Sequence, residues 1–322
     1  MGRQILLCVA CALAAVGCAQ KPPPAPSAPP PPAKPEGQTI VAARGGFVPE
    51  GIEYDQANGR FLTGSIAEGT IFRIDRDGSV TPFVTDKTLV SSVGIEVDES
   101  RDRLLVANSD RAAFEPGKPG QAKLSVYSLT TGERLALVDL AAVIGTPSSP
   151  AYFANDVTVD SDGNVYVTDT LQNVVYKVTP DYQASVLKRF GSLEGNAQVN
   201  GLVFHEGADG GYLLVVADTL MFKVPVGNPD ATTQVKIAEP VPGQDGIVWA
   251  ADGALAAVSN KADAPRVVKL ESGDDWASAH RGGVAVLVGQ ATTAAAVGGD
   301  IYAIHPHFGD ADPPIIEQAI FH

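Results

Sequence analysis

The stretch at residues 154–170, ANDVTVDSDGNVYVTDT, decides the fold of this chain. Val157 and Val159 alternate with polar residues, Asp162-Gly163-Asn164 forms a turn signal, and hydrophobic residues alternate again after it. Period-two alternation around a Gly/Asp/Asn turn predicts a β-hairpin with one buried face. The polar pair Asn155-Asp156 stands directly before the first predicted strand, so its side chains are candidates for a function at the end of that strand.

The same hairpin pattern returns later in the chain at a fixed interval. Asn200 follows Asn155 by 45 residues, and Asp245 follows Asn200 by 45 residues again. Each of the three opens a predicted strand, a turn and a second predicted strand. Self-similarity at a fixed period is the sequence signature of a repeat architecture.

Earlier units follow the same pattern. Glu50 opens one hairpin and Val93 opens the next, 43 residues later. The longer interval before Asn155 is explained by a Gly- and Pro-rich insertion at residues 112–122. A weaker sixth unit covers residues 293–303.

Two further strands are predicted in each unit. Four strands in a unit of roughly 45 residues, repeated six times, predict an all-β fold, a six-bladed β-propeller with four-stranded blades around a central channel. Residues 39–43 (TIVAA) are expected to supply the outer strand that closes the ring with the last blade. Residues 315–321 are the competing candidate for that strand.

The first residues of the chain resemble an export signal. Arg3 precedes a twelve-residue apolar run at residues 5–16, which is too short to span a bilayer stably. We interpret residues 1–17 as a lipoprotein signal peptide and Cys18 as the lipidated first residue of the mature chain. Ordinary signal-peptidase cleavage is the alternative. Residues 18–37 are read as the lipidated cysteine and a Pro-rich linker, and residues 38–322 as the propeller.

The composition limits the environment and the partners of the protein. The net charge is −14, which disfavours nucleic acid because the phosphate backbone would be repelled. All three cysteines lie within the first eighteen residues, so the folded part has no disulfide framework. We expect a monomer in the bacterial cell envelope that contacts the membrane only through its lipid anchor and acts on a small molecule.

The geometry of a propeller places residues from distant units together. The first strand of each blade lies innermost, so Glu50, Asn155, Asn200 and Asp245 are expected to converge at one end of the channel. Carboxylate and amide oxygens suit Ca²⁺ or a similar hard cation. The absence of His and Cys from the set argues against a structural zinc site. The alternative is that these polar residues only cap turns.

These motifs give the chain a family resemblance over residues 38–305. The sequence resembles the senescence marker protein/gluconolactonase/luciferin-regenerating enzyme family of six-bladed propellers. The matching elements are Glu50-x-x-x-Tyr54, Asn155-Asp156, Asn200-Gly201-Leu202 and Asp245-Gly246.

The resemblance implies a divalent-metal-dependent hydrolase that acts on lactones or related esters. In such an enzyme the cation polarises the substrate carbonyl. Asp245 would be the catalytic base that activates water. Glu50, Asn155, Asn200 and Asp245 would hold the ion, expected to be Ca²⁺, with Mg²⁺, Mn²⁺ and Zn²⁺ as alternatives.

Other residues are predicted to contact the substrate or to support the site. Family members that act on sugar lactones often carry arginine two residues before the Asn-Asp motif, where this chain has Phe153 beside Tyr152. This aromatic pair predicts an entrance for a less polar substrate. Asp156 either orients the metal ligands without binding the ion or stabilises a turn. Asp169 and Asp218 end second strands at the same face and are further candidates.

A second function stays open on the sequence. The chain is then a non-catalytic propeller that binds a ligand or acts as an envelope scaffold, with a structural Ca²⁺ that only holds the blades together. The four oxygen-bearing residues favour the enzyme, whereas the missing arginine and the linker favour the scaffold. Fold alone does not decide between them.

Overall fold

Short β-strands dominate the described chain. The computed structural model describes residues 37–207, 210–261, 264–309 and 312–322. The strands in these residues are β1 (Thr39–Val41), β2 (Ile52–Asp55), β3 (Arg60–Thr63), β4 (Ile71–Ile74), β5 (Val80–Val84), β6 (Ser91–Asp98), β7 (Arg103–Ser109), β8 (Gly120–Ser128), β9 (Arg134–Asp139), β10 (Tyr152–Val159), β11 (Val165–Asp169), β12 (Val174–Val178), β13 (Ala184–Arg189), β14 (Leu202–His205), β15 (Tyr212–Ala217), β16 (Leu220–Pro225), β17 (Thr233–Gln234), β18 (Lys236–Ile237), β19 (Gln244–Trp249), β20 (Leu255–Ser259), β21 (Arg266–Glu271), β22 (Ser278–Val286), β23 (Ala294–Val297), β24 (Asp300–His305) and β25 (Ile315–Gln318). Short 3₁₀ helices occur in connections at Glu99–Arg101, Arg111–Phe114, Ala141–Val143, Glu194–Asn196 and Pro229–Ala231.

The hairpin predicted from residues 154–170 is present as β10 and β11. Val157 pairs with Val167 in an antiparallel register. In the turn, the Asp160 carboxylate accepts a hydrogen bond of 2.8 Å from the backbone N–H of Asn164. Gly163 has φ +89°, a left-handed conformation that glycine adopts without steric cost. The turn residues therefore fix the hairpin as the sequence predicted.

Hydrogen bonds join the strands into five sheets. Three have four strands and run in the orders β2-β3-β4-β5, β14-β15-β16-β17 and β23-β24-β25-β1. A fourth runs β19-β20-β21-β22, with β18 added in parallel to β22. The fifth has eight strands and contains β6 to β9 and β10 to β13. The all-β prediction is confirmed, and the arrangement is that of a propeller.

The eight-stranded sheet arises because β8 pairs with β10. This pairing is parallel and short, with Gly120 opposite Tyr152 and Gln121 opposite Phe153. The insertion predicted at residues 112–122 therefore ends earlier in the structure, before Gly120. Its last residues belong to β8, since Gly120 begins that strand.

The strands form layers from the axis outward. The strands β2, β6, β10, β14, β19 and β23 contact one another in closed order and surround a central cavity. The next strands, β3, β7, β11, β15 and β20, are buried along their whole length. Outer strands such as β9 and β13 are largely exposed. Burial on both faces suits the apolar runs within these strands, such as LLVA at residues 104–107 of β7 and YLLVVA of β15.

Hydrophobic clusters between neighbouring sheets hold this arrangement together. Tyr166 of β11 packs in one cluster with Leu213 and Val215 of β15, and all three are fully buried. Burying a side chain of this size contributes roughly 1.5–3 kcal/mol. Packing between sheets, rather than within one, therefore fixes the position of each inner strand.

The first and last strands of the described chain close the structure. β1 pairs antiparallel with β25, with Ile40 opposite Ile316, and β25 pairs with β24. The prediction that residues 39–43 supply an outer strand is confirmed. The competing segment at residues 315–321 is not an alternative to it, because β25 lies in the same sheet between β1 and β24.

Candidate functional site

The inner strands enclose a cavity of about 230 Å³. Its acidic lining residues are Glu50, Glu53, Glu96 and Asp156. Apolar side chains, including Phe204 and Trp249, line the part formed by β14 and β19. Among the described residues that line it, none is Lys, Arg or His. A cavity of this composition attracts positive charge and repels anions.

Backbone bulges direct the predicted site residues. The register of β10 against β11 shifts at Asn155-Asp156, and that of β19 against β20 shifts at Asp245-Gly246. The register of β6 against β7 shifts in the same way at Val93-Gly94. Bulges bend a strand and redirect side chains, and they are frequent beside active sites. Asn155 and Asp245 were predicted to lie just before their strands. The structure places them within β10 and β19, because strand pairing continues on both sides of each bulge.

Hydroxyl groups of neighbouring strands and loops fix the backbone at these positions. The Thr292 hydroxyl donates to the carbonyl of Glu50 at 2.8 Å, and the Thr168 hydroxyl donates to that of Asn200 at 2.7 Å. The Ser109 hydroxyl donates to the carbonyl of Ala154 at 2.6 Å. Each of these bonds joins the backbone near the start of an inner strand to a neighbouring strand or loop.

Asp245 lies directly behind the cavity wall. It is 6% exposed, and its neighbour Gly246 lines the cavity. The Asn260 side chain donates a hydrogen bond of 2.5 Å to Oδ2 of Asp245, and the Asn200 amide donates to the same carboxylate. Burial raises the pKa of Asp245 to about 7, and these two hydrogen bonds oppose that rise. The Asp245 carboxylate is therefore held in place, and its pKa in the metal-free protein lies near neutral pH.

Glu50 and Asp156 are half-buried carboxyls that line the cavity beside this residue. Burial raises the pKa of Glu50 well above its usual value, and the negative charges of Asp245 and Asp156 raise it further. Burial raises the pKa of Asp156 to about 7, although backbone N–H groups of Leu202 and Val157 donate to its carboxylate at 3.0 and 2.9 Å. The three acids thus repel one another at short range.

The two predicted asparagines lie with these acids. Both Asn155 and Asn200 line the cavity. The Asn155 amide nitrogen donates to the Thr170 hydroxyl at 2.9 Å, and that hydroxyl donates to the carbonyl of Val199 at 2.9 Å. Because the nitrogen is used there, the amide oxygen of Asn155 is the atom available to the cavity.

Two further acids of the cavity, Glu53 and Glu96, were missed by the sequence analysis. Burial raises the pKa of Glu53 to about 8. Burial also raises the pKa of Glu96 well above its usual value, and the charge of Glu53 contributes to that rise. The signal was present, since both lie in identical Gly-Ile-Glu tripeptides, at residues 51–53 and 94–96. A glutamate at the same position of the inner strand in two units predicts an acidic side chain on the wall of the channel.

The predicted aromatic entrance is not formed by Phe153 and Tyr152. Phe153 is 7% exposed and belongs to the hydrophobic cluster between β6–β9 and β10–β13. Its ring lies edge-on to Phe114, with centroids 4.8 Å apart. Tyr152 is half-buried and packs against the same cluster. Neither residue lines the cavity, because β10 turns both side chains into the core before the bulge.

Asp169 and Asp218 also lie outside the cavity lining. Asp169 is fully buried and accepts hydrogen bonds from the backbone N–H groups of Phe153 and Gln172, at 3.1 and 3.0 Å. Asp218 has φ +55° and accepts a hydrogen bond of 2.9 Å from the backbone N–H of Gly243. Both carboxylates therefore organise loops beside the site.

Cys18 and the proposed signal and linker at residues 1–36 lie outside the described residues. Across residues 37–322, apart from the three short gaps, no helix is both long and apolar enough to cross a membrane.

The residues around Asp245 fit a divalent cation. In the described part of the chain, no three His, Cys, Asp or Glu side chains are close enough to hold a metal by themselves. The predicted set differs from such a group, because half of its donors are amide oxygens. Glu50 and Asp245 repel each other when both are ionised, and a cation between them would relieve this repulsion. Hard oxygen donors of this kind suit Ca²⁺.

Fold and site together define a β-propeller protein with carboxylate and amide side chains at one end of an acidic central cavity. The chain matches no family in a scan against known protein families. It also matches none of the curated proteins. Comparison with solved structures, in contrast, finds many similar folds.

The similar structures include members of the family that the motifs resemble. The major allergen Mala s 1 of Malassezia sympodialis has a TM-score of 0.70 at 19% identity, with 89% of this chain and 96% of the allergen covered. A gluconolactonase of Xanthomonas campestris has a TM-score of 0.58 at 14% identity, with coverage of 90% and 99%. Regucalcin of Agrobacterium tumefaciens, a calcium-binding protein, has a TM-score of 0.59 at 17% identity, with coverage of 87% and 94%.

A luciferin-regenerating enzyme is also among the similar structures. The family resemblance predicted from the sequence is thus matched by structural neighbours. At these identities the likeness establishes the fold.

Proposed function

We propose that this protein is a divalent-metal-dependent hydrolase of lactones or related carboxylic esters. The observation that carries the proposal is that Glu50, Asn155 and Asn200 line one acidic cavity and that Asp245 lies directly behind its wall. The Asn260 amide donates to the Asp245 carboxylate at 2.5 Å, and the charge of Asp245 raises the pKa of Glu50. The likeness of the fold to a gluconolactonase supports this reading of the site.

The proposal includes a six-bladed propeller. The closed order of the six inner strands supports this count, with the eight-stranded sheet divided into two blades at the pairing of β8 with β10. Each blade then supplies one inner strand to the channel, as the sequence repeat predicts.

In the proposed reaction, Glu50, Asn155, Asn200 and Asp245 hold the cation, and Ca²⁺ is the proposed ion. The calcium-binding regucalcin has a similar fold, which supports this choice over Mg²⁺, Mn²⁺ and Zn²⁺. A cation held by these residues would supply positive charge to the oxyanion that develops on a substrate carbonyl.

Asp245 accepts the proton of the attacking water. Two amide donors restrain its carboxylate, from Asn200 and Asn260, so the orientation of the base is fixed before the substrate arrives. A cation bound beside it would lower the pKa of this carboxylate, so that it is ionised and able to accept a proton at neutral pH. Asp156 positions the neighbouring inner strand through its bond to the backbone N–H of Leu202.

The proposal is tested by hydrolysis of a lactone panel with Ca²⁺, Mg²⁺, Mn²⁺ or Zn²⁺ after treatment with a chelator. We expect activity that requires an added divalent ion and that falls by about 10³-fold or more in Asp245→Ala, the size expected when a general base is lost. Asp230→Ala, an exposed aspartate in the connection between β16 and β17, is the matched control. Hydrolysis that is absent throughout, or unaffected by Asp245→Ala, would exclude the proposal.

A second candidate function is a non-catalytic propeller whose Ca²⁺ holds the inner strands together. The burial of Asp245 behind the cavity wall favours this candidate. It predicts that Ca²⁺ raises the melting temperature of the wild type and not that of Glu50→Gln, while every lactone is left intact. Ligand at a hundredfold excess over Kd stabilises by about 2.7 kcal/mol, which is readily measured.

We also propose that the protein is a monomer anchored in the bacterial cell envelope through a lipidated Cys18, with a small molecule as its substrate. The apolar run and Cys18 in the sequence support the anchor. Lipid labelling of the wild type but not of Cys18→Ser, with release of the variant from the membrane fraction, tests it. A wild type that takes up no lipid would contradict the anchor, and sedimentation velocity measures the oligomeric state.

A further inference from the structure

A lysine lies beside the Asp245 carboxylate and has no assigned role. Lys261 follows Asn260, whose side chain is bonded to Asp245. The Lys261 side chain reaches the carboxylate of Asp218, which accepts a hydrogen bond from the loop that leads to Asp245. Positive charge is scarce at this site, because none of the described residues that line the cavity is basic.

The backbone around Lys261 is fixed by the loop that leads into β19. The N–H of Asn260 donates to the carbonyl of Gly243 at 3.0 Å, and the Ser259 hydroxyl donates to the carbonyl of Pro242 at 2.7 Å. A Cβ on Gly243 would lie 2.5 Å from Cβ of Lys261. Glycine at position 243 therefore leaves the space through which the lysine side chain extends.

The ammonium group of Lys261 is only weakly held by the protein. Its Nζ lies 3.4 Å from Oδ1 of Asp218, and the lysine side chain is 68% exposed. Strong charge-assisted hydrogen bonds are about 2.7–2.9 Å long. The same Oδ1 already accepts the backbone N–H of Gly243. Since an ammonium group has three donors, Lys261 has donors to offer to a ligand.

An anionic substrate would need such a group. The acidic cavity and the net charge of −14 repel anions. The position where arginine is expected for sugar lactones holds Phe153, which is buried in the core. A cation at the edge of the site, beside the proposed base, would orient a negatively charged substituent of the substrate without entering the cavity.

We propose that Lys261 binds a carboxylate on the substrate, so that the protein prefers lactones that carry a negative group over neutral ones. This specificity rests on the proposed hydrolase function. Lys261 is a specificity-determining residue in this proposal, and the hydrolysis itself does not depend on it.

The test uses two lactones with the same five-membered ring, D-glucaro-1,4-lactone and D-glucono-1,4-lactone, which differ only in a carboxylate against a hydroxymethyl group. In Lys261→Met we expect the KM for the carboxylate lactone to rise about tenfold, the loss expected for one hydrogen bond between charged groups. The KM for the neutral lactone and both kcat values should stay within about twofold, and Lys261→Arg should retain the preference.

Lys236→Met is the matched control, since it removes the same charge from the exposed edge strand β18. A Lys261→Met variant that affects both lactones equally, or neither, would overturn the inference while leaving the hydrolase function intact.

A wild type that hydrolyses neither lactone would refute the hydrolase function. The role of Lys261 is then tested by the affinity of the protein for each lactone. Calorimetry with Ca²⁺ present measures the Kd of each lactone. Tighter binding of the carboxylate lactone that is lost in Lys261→Met would uphold the inference. Equal Kd values for wild type and variant, or no binding of either lactone, would overturn it.

Discussion

The side-chain amide of Asn260 donates a hydrogen bond of 2.5 Å to Oδ2 of Asp245, across 15 residues of sequence. Asn260 follows the end of β20, whereas Asp245 lies at the bulge of β19. Together with the amide of Asn200, this bond fixes the buried carboxylate on which the proposed chemistry depends.

The first prediction concerns this bond. In Asn260→Ala the carboxylate of Asp245 loses a donor to its charged form, so its pKa rises and its orientation is less restrained. We expect kcat/KM for lactone hydrolysis at pH 7 to fall about tenfold, in line with the loss of one hydrogen bond to a charged group. Asn58→Ala is the control, because Asn58 donates to Asp55 at 2.8 Å in the turn between β2 and β3. An unchanged kcat/KM in Asn260→Ala would contradict a positioning role.

The second prediction concerns pH and the missed acid Glu53. Its pKa rises from 4.5 to about 8 in the folded protein, so the folded state binds this proton more tightly than the unfolded state. Protonation therefore stabilises the fold, and stability contributed by this group is lost as pH rises through that interval. We expect the metal-free protein to melt at a lower temperature at pH 8 than at pH 5.

The variant Glu53→Gln isolates the contribution of this group. It should stabilise the metal-free protein at pH 8 by about 1–2 kcal/mol and flatten the pH dependence. Glu133→Gln, at an exposed residue in the turn between β8 and β9, should do neither. A melting temperature of Glu53→Gln that follows the wild type at every pH would show that Glu53 is not the cause.

The third prediction concerns the approach of β6 to the Asn-Asp pair. A Cβ on Gly94 would lie 2.6 Å from the carbonyl oxygen of Asn155 and 2.6 Å from Oδ1 of Asp156. Gly94→Ala should therefore displace the bulge of β10 at Asn155-Asp156. We expect the variant to have a free energy of unfolding lower by about 1–3 kcal/mol and to bind Ca²⁺ more weakly. Gly273→Ala, where no heavy atom lies within 4 Å of the added Cβ, should leave both unchanged. Denaturant unfolding and calorimetry measure the two effects, and wild-type values for Gly94→Ala would refute the close approach.

The fourth prediction concerns Phe153, at the position where the resemblance leads one to expect arginine. Because Phe153 is 7% exposed, Phe153→Arg should bury a charge and lower the free energy of unfolding by about 3 kcal/mol or more, with no gain in activity on sugar lactones. Phe114→Arg changes the neighbouring ring, which is 60% exposed, and should cost little. A stable Phe153→Arg protein with increased sugar-lactone activity would show that this side chain faces the substrate.

The sequence by itself determined the strand pattern, the repeat and three of the residues that line the cavity, Glu50, Asn155 and Asn200. Alternation around Asp162-Gly163-Asn164 predicts a hairpin because side chains of a strand alternate between its faces and such residues suit tight turns. Asn155, Asn200 and Asp245 recur at intervals of 45 residues, and Glu50 holds the same place in an earlier unit. This recurrence predicts that the four residues meet, because a ring of repeats brings equivalent positions together. These inferences use only local periodicity and spacing.

Only the tertiary structure decided which side chains face the cavity and which neighbours they contact. A bulge adds one residue to a strand and changes the face of every residue beyond it, and the sequence does not mark where a bulge occurs. Phe153 packs in the cluster between two sheets and Glu53 lines the cavity, and both placements depend on how neighbouring sheets pack around the channel. The contact of Asn260 with Asp245 and the position of Lys261 depend on the packing of the loop before β19 against the end of β20. That packing joins residues far apart in the chain, and periodicity carries no information about it.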